Sequence, residues 1–364
     1  MNNFAHQGTV LAVQANFYQV RLELSQADLP RILLCTCRTR LKKIGKKVMV
    51  GDRVIVEQAD FTTQTGVIIE ILPRSMALKR PAIANVEQIL LIFSLQQPAL
   101  DPWQVSRFLI KAESTQLEIC LCLNKTDLVT KKEQQRWQER LQAWGYQPFF
   151  ISVKQKLELE RLKKQLENKI TVVAGPSGVG KSSLINYLVP AAHLRVGKVS
   201  GKLKRGRHTT RHVELFDLPG SGLLADSPGF NQPDFDYLPP DLANYFPEIR
   251  AKLRENICQF SNCLHLDEPN CVIEPDWERY AHYCRFLEEA ITYQAARQQQ
   301  PDDESSLKLK IKNSGKRKYE PKLELKKYRR LSRKQTNQSL QELENQSLED
   351  LEKDTIADQG LSNC

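Results

Sequence analysis

No apolar run in this 364-residue chain approaches the roughly 20 residues that cross a bilayer. The first residues, Met1 to Gln7, lack a charged start followed by an apolar core. These absences exclude a membrane-spanning class and predict a soluble, unexported, cytoplasmic protein. Without an export signal the nine cysteines are not read as a disulfide framework, and reduced core thiols and metal ligands take its place. Also missing is any acid–base constellation or substrate-pocket motif beyond those described below. That counts against a metabolic enzyme acting on a small molecule, which a preference for ATP would revive.

What is present begins with charge and length. Lysine and arginine number 53 against 43 acids, a formal net charge of +10 with a pI near 9.1, which favours an anionic partner, nucleic acid before membrane. With 41% hydrophobic residues the chain can bury normal cores, and its length predicts two or three of them.

Gly175-Pro176-Ser177-Gly178-Val179-Gly180-Lys181-Ser182-Ser183 fills the G-x-x-x-x-G-K-[ST] spacing. It follows the β-branched run Ile170 to Ala174 and precedes Leu184 to Leu188, so it stands where a buried strand turns into a helix. Glycines let consecutive backbone N–H groups converge on phosphate oxygens, Lys181 reaches the outer phosphates, and the Ser182 hydroxyl suits Mg2+. Upstream, the strand Leu117 to Leu123 ends in Asn124-Lys125-Thr126-Asp127. An aspartate there accepts two hydrogen bonds from N1–H and the exocyclic amine of guanine, a pair adenine does not offer. Asn124 orients the loop and the stem of Lys125 covers the base. Alone, N-K-T-D also reads as a helix-capping turn; with a phosphate loop in the same sheet it selects GTP. Tyr146 to Ile151 reads as another strand, and Ser152-Val153-Lys154 after it is where a guanine-contacting turn belongs. Strands and helices alternate from Val86 onward, which predicts a doubly wound parallel sheet. The base-reading elements precede the phosphate loop, the reverse of ordinary small GTPases.

Arg195 to Arg211 is basic and punctuated by glycine, the composition of a mobile switch loop in which a threonine completes the magnesium shell. Paired strands around Phe216 and Leu224 then lead to Asp226-Ser227-Pro228-Gly229, whose D-x-x-G spacing puts a carboxylate near the magnesium and the Gly229 N–H on the γ-phosphate. Phe230 follows, where a water-positioning glutamine is expected. His208 is the nearest group able to orient a water, and it reads equally as a loop histidine facing RNA or solvent.

Five short β-rich runs between Gly8 and Ile71 predict a small closed barrel of OB type. Between its third and fourth strands Arg38, Arg40, Lys42, Lys43, Lys46 and Lys47 form a basic loop, either an RNA contact or a solvated hairpin. At the other end Cys258, Cys263, His265 and Cys271 are spaced C-x4-C-x-H-x5-C, a donor set for one closed, structural, tetrahedral Zn2+. The remaining strand cysteines, Cys35, Cys37, Cys120 and Cys122, and the helical Cys284 read as packed thiols. Asp276 to Gln300 predicts one helix, and the oppositely charged blocks after Pro301 predict a disordered arm. The expected domains are a barrel over 1–79, a GTPase domain over 80–240, a zinc-binding helical domain over 241–300 and a tail over 301–364.

In this order Asn124 to Asp127, Gly175 to Ser183, Gly206-Arg207-His208-Thr209-Thr210 and Asp226 to Gly229, with the barrel in front and Phe246-Pro247-Glu248-Ile249 and the Cys-Cys-His-Cys cluster behind, resemble the RsgA family over residues 8–295. These are circularly permuted GTPases of late small-ribosomal-subunit assembly. The resemblance implies GTP hydrolysis stimulated by the small subunit, rRNA as the main partner, and a hydrophobic residue at position 230. Thr210 is the threonine expected beside Ser182 on magnesium, and a monomer is expected. Phe230 keeps one alternative open, a GTP-binding RNA chaperone with little hydrolysis of its own.

Overall fold

The structure, a computed structural model, describes residues 5–24, 31–43, 47–79, 81–192, 213–219, 221–226, 237–266, 268–299, 307–311 and 317–321. The first five strands close into a barrel. These are β1 (His6–Gln14), β2 (Phe17–Leu22), β3 (Ile32–Cys37), β4 (Arg53–Asp60) and β5 (Thr65–Ile71), ordered β1-β2-β3-β5-β4 with β3 and β5 parallel. Strands β2 to β5 alternate buried with more exposed residues, while the middle of β1 is buried continuously. This is the OB-like barrel expected, filled by Val10, Val20, Leu33, Cys35, Val54, Val56 and Ile68. One correction concerns its basic segment. Thr39–Lys43 forms a short helix, α1, where the charges predict only a loop, and residues 44–46, with Lys46, lie outside the described residues.

A hairpin of β6 (Ala77–Lys79) and β7 (Ala82–Ala84) joins the barrel to the second layer and spans the boundary expected at residue 79. Asn85 fastens this joint: its Nδ2 donates to Gly51 O at 2.9 Å and its Oδ1 accepts from Ser75 N at 2.9 Å. An ion pair of Arg21 with Asp217 adds a second tie.

The second layer is built from β8 (Gln88–Ser94), α2 (Pro102–Glu113), β9 (Glu118–Asn124), α3 (Lys131–Ala143), β10 (Phe149–Phe150), α4 (Leu159–Leu166), β11 (Ile170–Ala174), α5 (Lys181–Leu188), β12 (Leu215–Asp217) and β13 (Leu223–Asp226). The sheet order is β10-β9-β8-β11-β13-β12, parallel except for β12 at one edge. All seven residues of β8 are buried, as a central strand covered on both faces requires. Helix α2 starts where Asp101 accepts from Trp103 N and Gln104 N at 3.1 and 3.2 Å with Pro102 at the first position, a cap the sequence announces. The strand expected over Tyr146–Ile151 is reduced to β10 because Tyr146 turns inward, its hydroxyl donating to Glu113 Oε1 at 2.9 Å.

Beyond the sheet, α6 (Pro247–Glu255) and α7 (Tyr280–Gln299) pack Phe246, Ile249, Tyr283, Phe286 and Leu287 into a separate core. The helix expected from Asp276 begins only at Tyr280, and Arg279 just before it is fully buried. Its guanidinium lies 4.8 Å over the Trp144 ring and 4.7 Å over Phe246, and its Nε donates to Glu248 at 2.7 Å. Trp103 stacks on Phe286 at 4.3 Å, so α2 of the sheet layer carries the C-terminal helices. Residues 298–364 make a separate unit. Within it β14 (Leu307–Ile311) pairs antiparallel with β15 (Arg317–Pro321), in a stretch whose charge pattern predicts disorder.

Cys35, Cys120 and Cys122 are buried, whereas Cys37 and Cys284 are only half-buried. Burial pushes the Cys35 and Cys120 thiols up to about 12 and Cys122 well above its ordinary value. Only the thiolate is nucleophilic, so iodoacetamide at pH 8 should leave these three unmodified in the folded chain and label them after unfolding. Mass spectrometry of the alkylated peptides checks this.

Candidate functional site

The crevice lies between β8 and β11, from which the chain departs in opposite directions along the sheet, the place where such sheets bind ligands. Gly175 leaves β11 at φ 141° so close to β8 that a Cβ would stand 2.1 Å from Ile92 O. Gly180 has φ 101°, and a Cβ there would stand 2.4 Å from Asn124 Nδ2. Both positions therefore need glycine for the backbone's hand and for the space. Between them the loop folds back on the N-terminus of α5, with Ser182 and Ser183 in its first turn.

Asn124, at the end of β9 and 3% exposed, joins three loops. Its Nδ2 donates to Val179 O at 2.9 Å in the phosphate loop, and its Oδ1 accepts from Lys125 N at 2.8 Å and Val153 N at 3.2 Å. Residues 55 positions apart in sequence are thus held in one frame by a single amide. Thr126 Oγ1 donates to Ile151 O at 3.0 Å, and Ser152 Oγ donates to Asp127 Oδ1 at 2.6 Å. That bond fixes the carboxylate's orientation in the turn that follows β9.

Lys125 holds the left-handed conformation with φ 62°. Its ammonium donates to Gly178 O at 2.8 Å and also to Gln97 O. Lys181 Nζ donates to Gly175 O at 2.8 Å and Pro176 O at 2.6 Å, bridging the phosphate loop's own carbonyls. Burial lowers the pKa of both ammonium groups, opposed by Asp127 for Lys125 and by Asp226 for Lys181. Arriving phosphates would oppose that depression further. Asp226 ends β13 opposite Val173 of β11 in parallel register, on the same edge.

The structure therefore brings together Asn124, Lys125, Thr126, Asp127, Ser152, Val153, Gly175 to Ser183 and Asp226. His208, Thr210, Gly229 and Phe230 lie outside the described residues. Sequence reasoning missed the Gln97 carbonyl, which no motif marks because it acts through backbone.

The second constellation is distant in sequence. Cys258, Cys263, His265 and Cys271 present donor atoms all within 4.8 Å of one another. His265 Nδ1 stands 3.7, 3.5 and 3.4 Å from the sulfurs of Cys258, Cys263 and Cys271. Glu268, between the last two ligands, accepts from Leu264 N at 2.8 Å and Leu266 N at 2.7 Å, and Tyr283 OH donates to Leu264 O at 2.7 Å. The loop is thus pinned from inside and from α7. Glu268 is the residue the ligand spacing alone does not reveal; its carboxylate takes the Leu264 and Leu266 amides that flank His265. The set can hold one metal ion with no ligand position left open.

Residues 71–236 match the family model described as RsgA GTPase. A Microcystis aeruginosa protein named small ribosomal subunit biogenesis GTPase RsgA is 61% identical over 91% of this chain and 92% of its own length. A Synechocystis protein of the same name is 51% identical over 94% and 96%. Among solved structures, YjeQ from Thermotoga maritima superposes with a TM-score of 0.66 at 30% identity, covering 79% of this chain and 99% of that one. YloQ, described as a circularly permuted GTPase, gives 0.65 at 32% identity, covering 80% and 96%.

Proposed function

The chain belongs to the RsgA GTPase family, and from that premise we propose that it hydrolyses GTP to GDP and phosphate on the small ribosomal subunit late in assembly, the subunit stimulating hydrolysis and hydrolysis releasing the protein. The observation that carries this reading is the Asn124 frame, which joins base-reading and phosphate-holding loops in permuted order.

In this reading Asp127 selects guanine, held by Ser152, with the Val153 backbone beside it. The amides of Ser177 to Ser182 and the Lys181 ammonium hold the phosphates. Ser182 and Thr210 would hold Mg2+, whose chemistry there would be to offset charge on the transferred phosphoryl group. Asp226 would steady the ion from the end of β13, the Gly229 N–H would serve the γ-phosphate, and His208 would orient the attacking water. The metal loop takes Zn2+. Tetrahedral bonds to sulfur and nitrogen set an N···S edge of about 3.6 Å, and the three N···S separations run from 3.4 to 3.7 Å. Arg38, Arg40, Lys42, Lys43, Lys46 and Lys47 meet rRNA; Arg38 keeps 60% of its side chain exposed. A cytoplasmic monomer with domains divided near residues 79, 240 and 300 completes the proposal. Among the described residues no helix is long and apolar enough to cross a membrane.

Phosphate release measured with and without purified small subunits tests this, with Lys181→Ala as background. Slow turnover alone and at least tenfold faster turnover with subunits is expected. A rate indifferent to subunits overturns the coupling.

A further inference from the structure

Helix α3 starts beside the base-reading turn and ends in the C-terminal core. It is 13 residues long, about 20 Å at 1.5 Å per residue. Leu141 is its one buried residue, with Trp137 packed partly against the same core, so polar ties at its two ends set how it sits.

At the near end Thr126 is 7% exposed, and its N–H and Oγ1 both donate to Ile151 O, at 3.2 and 3.0 Å. Its carbonyl belongs to the peptide unit that carries the Asp127 N–H. That carbonyl accepts from Gln134 Nε2 at 3.2 Å and from Val129 N at 3.4 Å. Ser152 thus orients the Asp127 carboxylate, while Gln134 holds the peptide plane from which the side chain departs.

At the far end Glu278 Oε2 accepts from Trp144 Nε1 at 2.9 Å, and Glu278 also pairs with Arg140. Arg279 lies 4.8 Å over the Trp144 ring, and a Cβ on Gly145 would stand 2.8 Å from Pro247 Cβ. Glu278 and Arg279 lie beyond Cys271, the last metal ligand, and Glu248 holds Arg279. This anchor is built from protein bonds and not from the ion. A rigid helix fastened at both ends carries a displacement of one end to the other.

We propose that α3 is a strut through which the C-terminal core sets guanine recognition, with Gln134 and Glu278 as positioning residues. The inference rests on the guanine-nucleotide reading of the site. In that reading Asp127 senses the exocyclic amine that separates guanine from hypoxanthine, so its placement is read in the preference for GDP over IDP.

Release of a fluorescent GDP analogue from the full chain, with GDP and IDP as competitors, tests the strut. Gln134→Glu keeps the size of the side chain but replaces its donor with an acceptor. It should release the analogue about five- to tenfold faster and narrow the GDP-over-IDP preference about threefold. Gln134→Lys restores a donor and should return both to within about twofold. General loosening of the fold weakens GDP and IDP alike, so an unmoved preference overturns the inference. Glu278→Ala, at the other end of α3, should speed release about threefold, and combined with Gln134→Glu it should add little, because both cut one strut. Fully additive effects overturn the coupling. Trp144→Phe removes the Nε1 donor and keeps an aromatic ring under Arg279, which covers the case in which Glu278→Ala fails to fold; release at the unmodified rate in this variant overturns the coupling as well. An unmodified chain that binds GDP no better than ADP overturns the guanine reading and this inference with it. Tight GDP binding that all the variants share sinks this inference alone.

Discussion

Replacing Asn124 with alanine should weaken guanine-nucleotide affinity by about 100-fold or more and lower the unfolding free energy by about 2–4 kcal/mol. The side chain is 3% exposed, so its partners have no water to turn to. Truncation leaves Val179 O without its donor and Lys125 N and Val153 N without their acceptor. A buried polar group left unsatisfied costs about 1–3 kcal/mol, and partial relaxation of loop backbone keeps the sum below three full penalties. The affinity loss is larger than the bonds alone suggest. Gly180 is packed directly against the Asn124 amide, so the phosphate loop also loses the wall that sets its shape, and 1.4 kcal/mol is a factor of ten in affinity. Titration with a fluorescent GDP analogue and urea unfolding measure the two quantities. Affinity within threefold of the unmodified chain shows that the three loops keep their relative positions without Asn124. An Asp127→Ala comparison separates the roles: it removes base recognition and a single bond to Ser152, so its stability change should be under about 2 kcal/mol.

The contrast between those two residues shows what a sequence encodes legibly. Asp127 is found from spacing because its work is local, a carboxylate at the end of a strand. Asn124 is found in the same motif, but its bond to Val179 crosses 55 positions and is visible only when β9 and β11 lie in one sheet. The barrel was readable from alternation, since a strand with one wet face must alternate. The β10 strand was over-read because Tyr146 and Phe149 look like strand residues until Glu113 draws the tyrosine inward. Arg279 illustrates the limit. Arg279 falls in the first turn of the helix predicted from Asp276, and nothing local announces that Trp144, Phe246 and Glu248 enclose it. The metal ligands were legible because cysteine and histidine spacing encodes chemistry directly, while Glu268, which holds the loop's amides, was not.

Removing the metal should have the largest effect on the fold. Structural zinc contributes about 10–16 kcal/mol in isolated zinc peptides; here part of that is replaced by protein contacts, because Ile273 is buried in the C-terminal core and Tyr283 holds Leu264 O. A loss on the order of 5 kcal/mol or more in the C-terminal region is therefore expected on strong chelation or in Cys271→Ala. Three thiols and an imidazole have their donor atoms within 4.8 Å of one another, and on metal removal they should separate. Cys258, Cys263 and Cys271 should become alkylated together, and hydrogen exchange should accelerate over residues 257–273 while β8 and β11 stay protected. Guanine-nucleotide affinity should change by less than about twofold, since every described bond that shapes the pocket lies within residues 92–226. Stimulation by small subunits should fall, because the loop that Tyr283 and Ile273 tie to the C-terminal core loses its order. Loss of nucleotide affinity equal to the loss of stimulation would mean that the two sites fold as one cooperative unit. Retained stimulation after verified metal loss would mean that the loop is dispensable for recognising the subunit, leaving the barrel to do so alone.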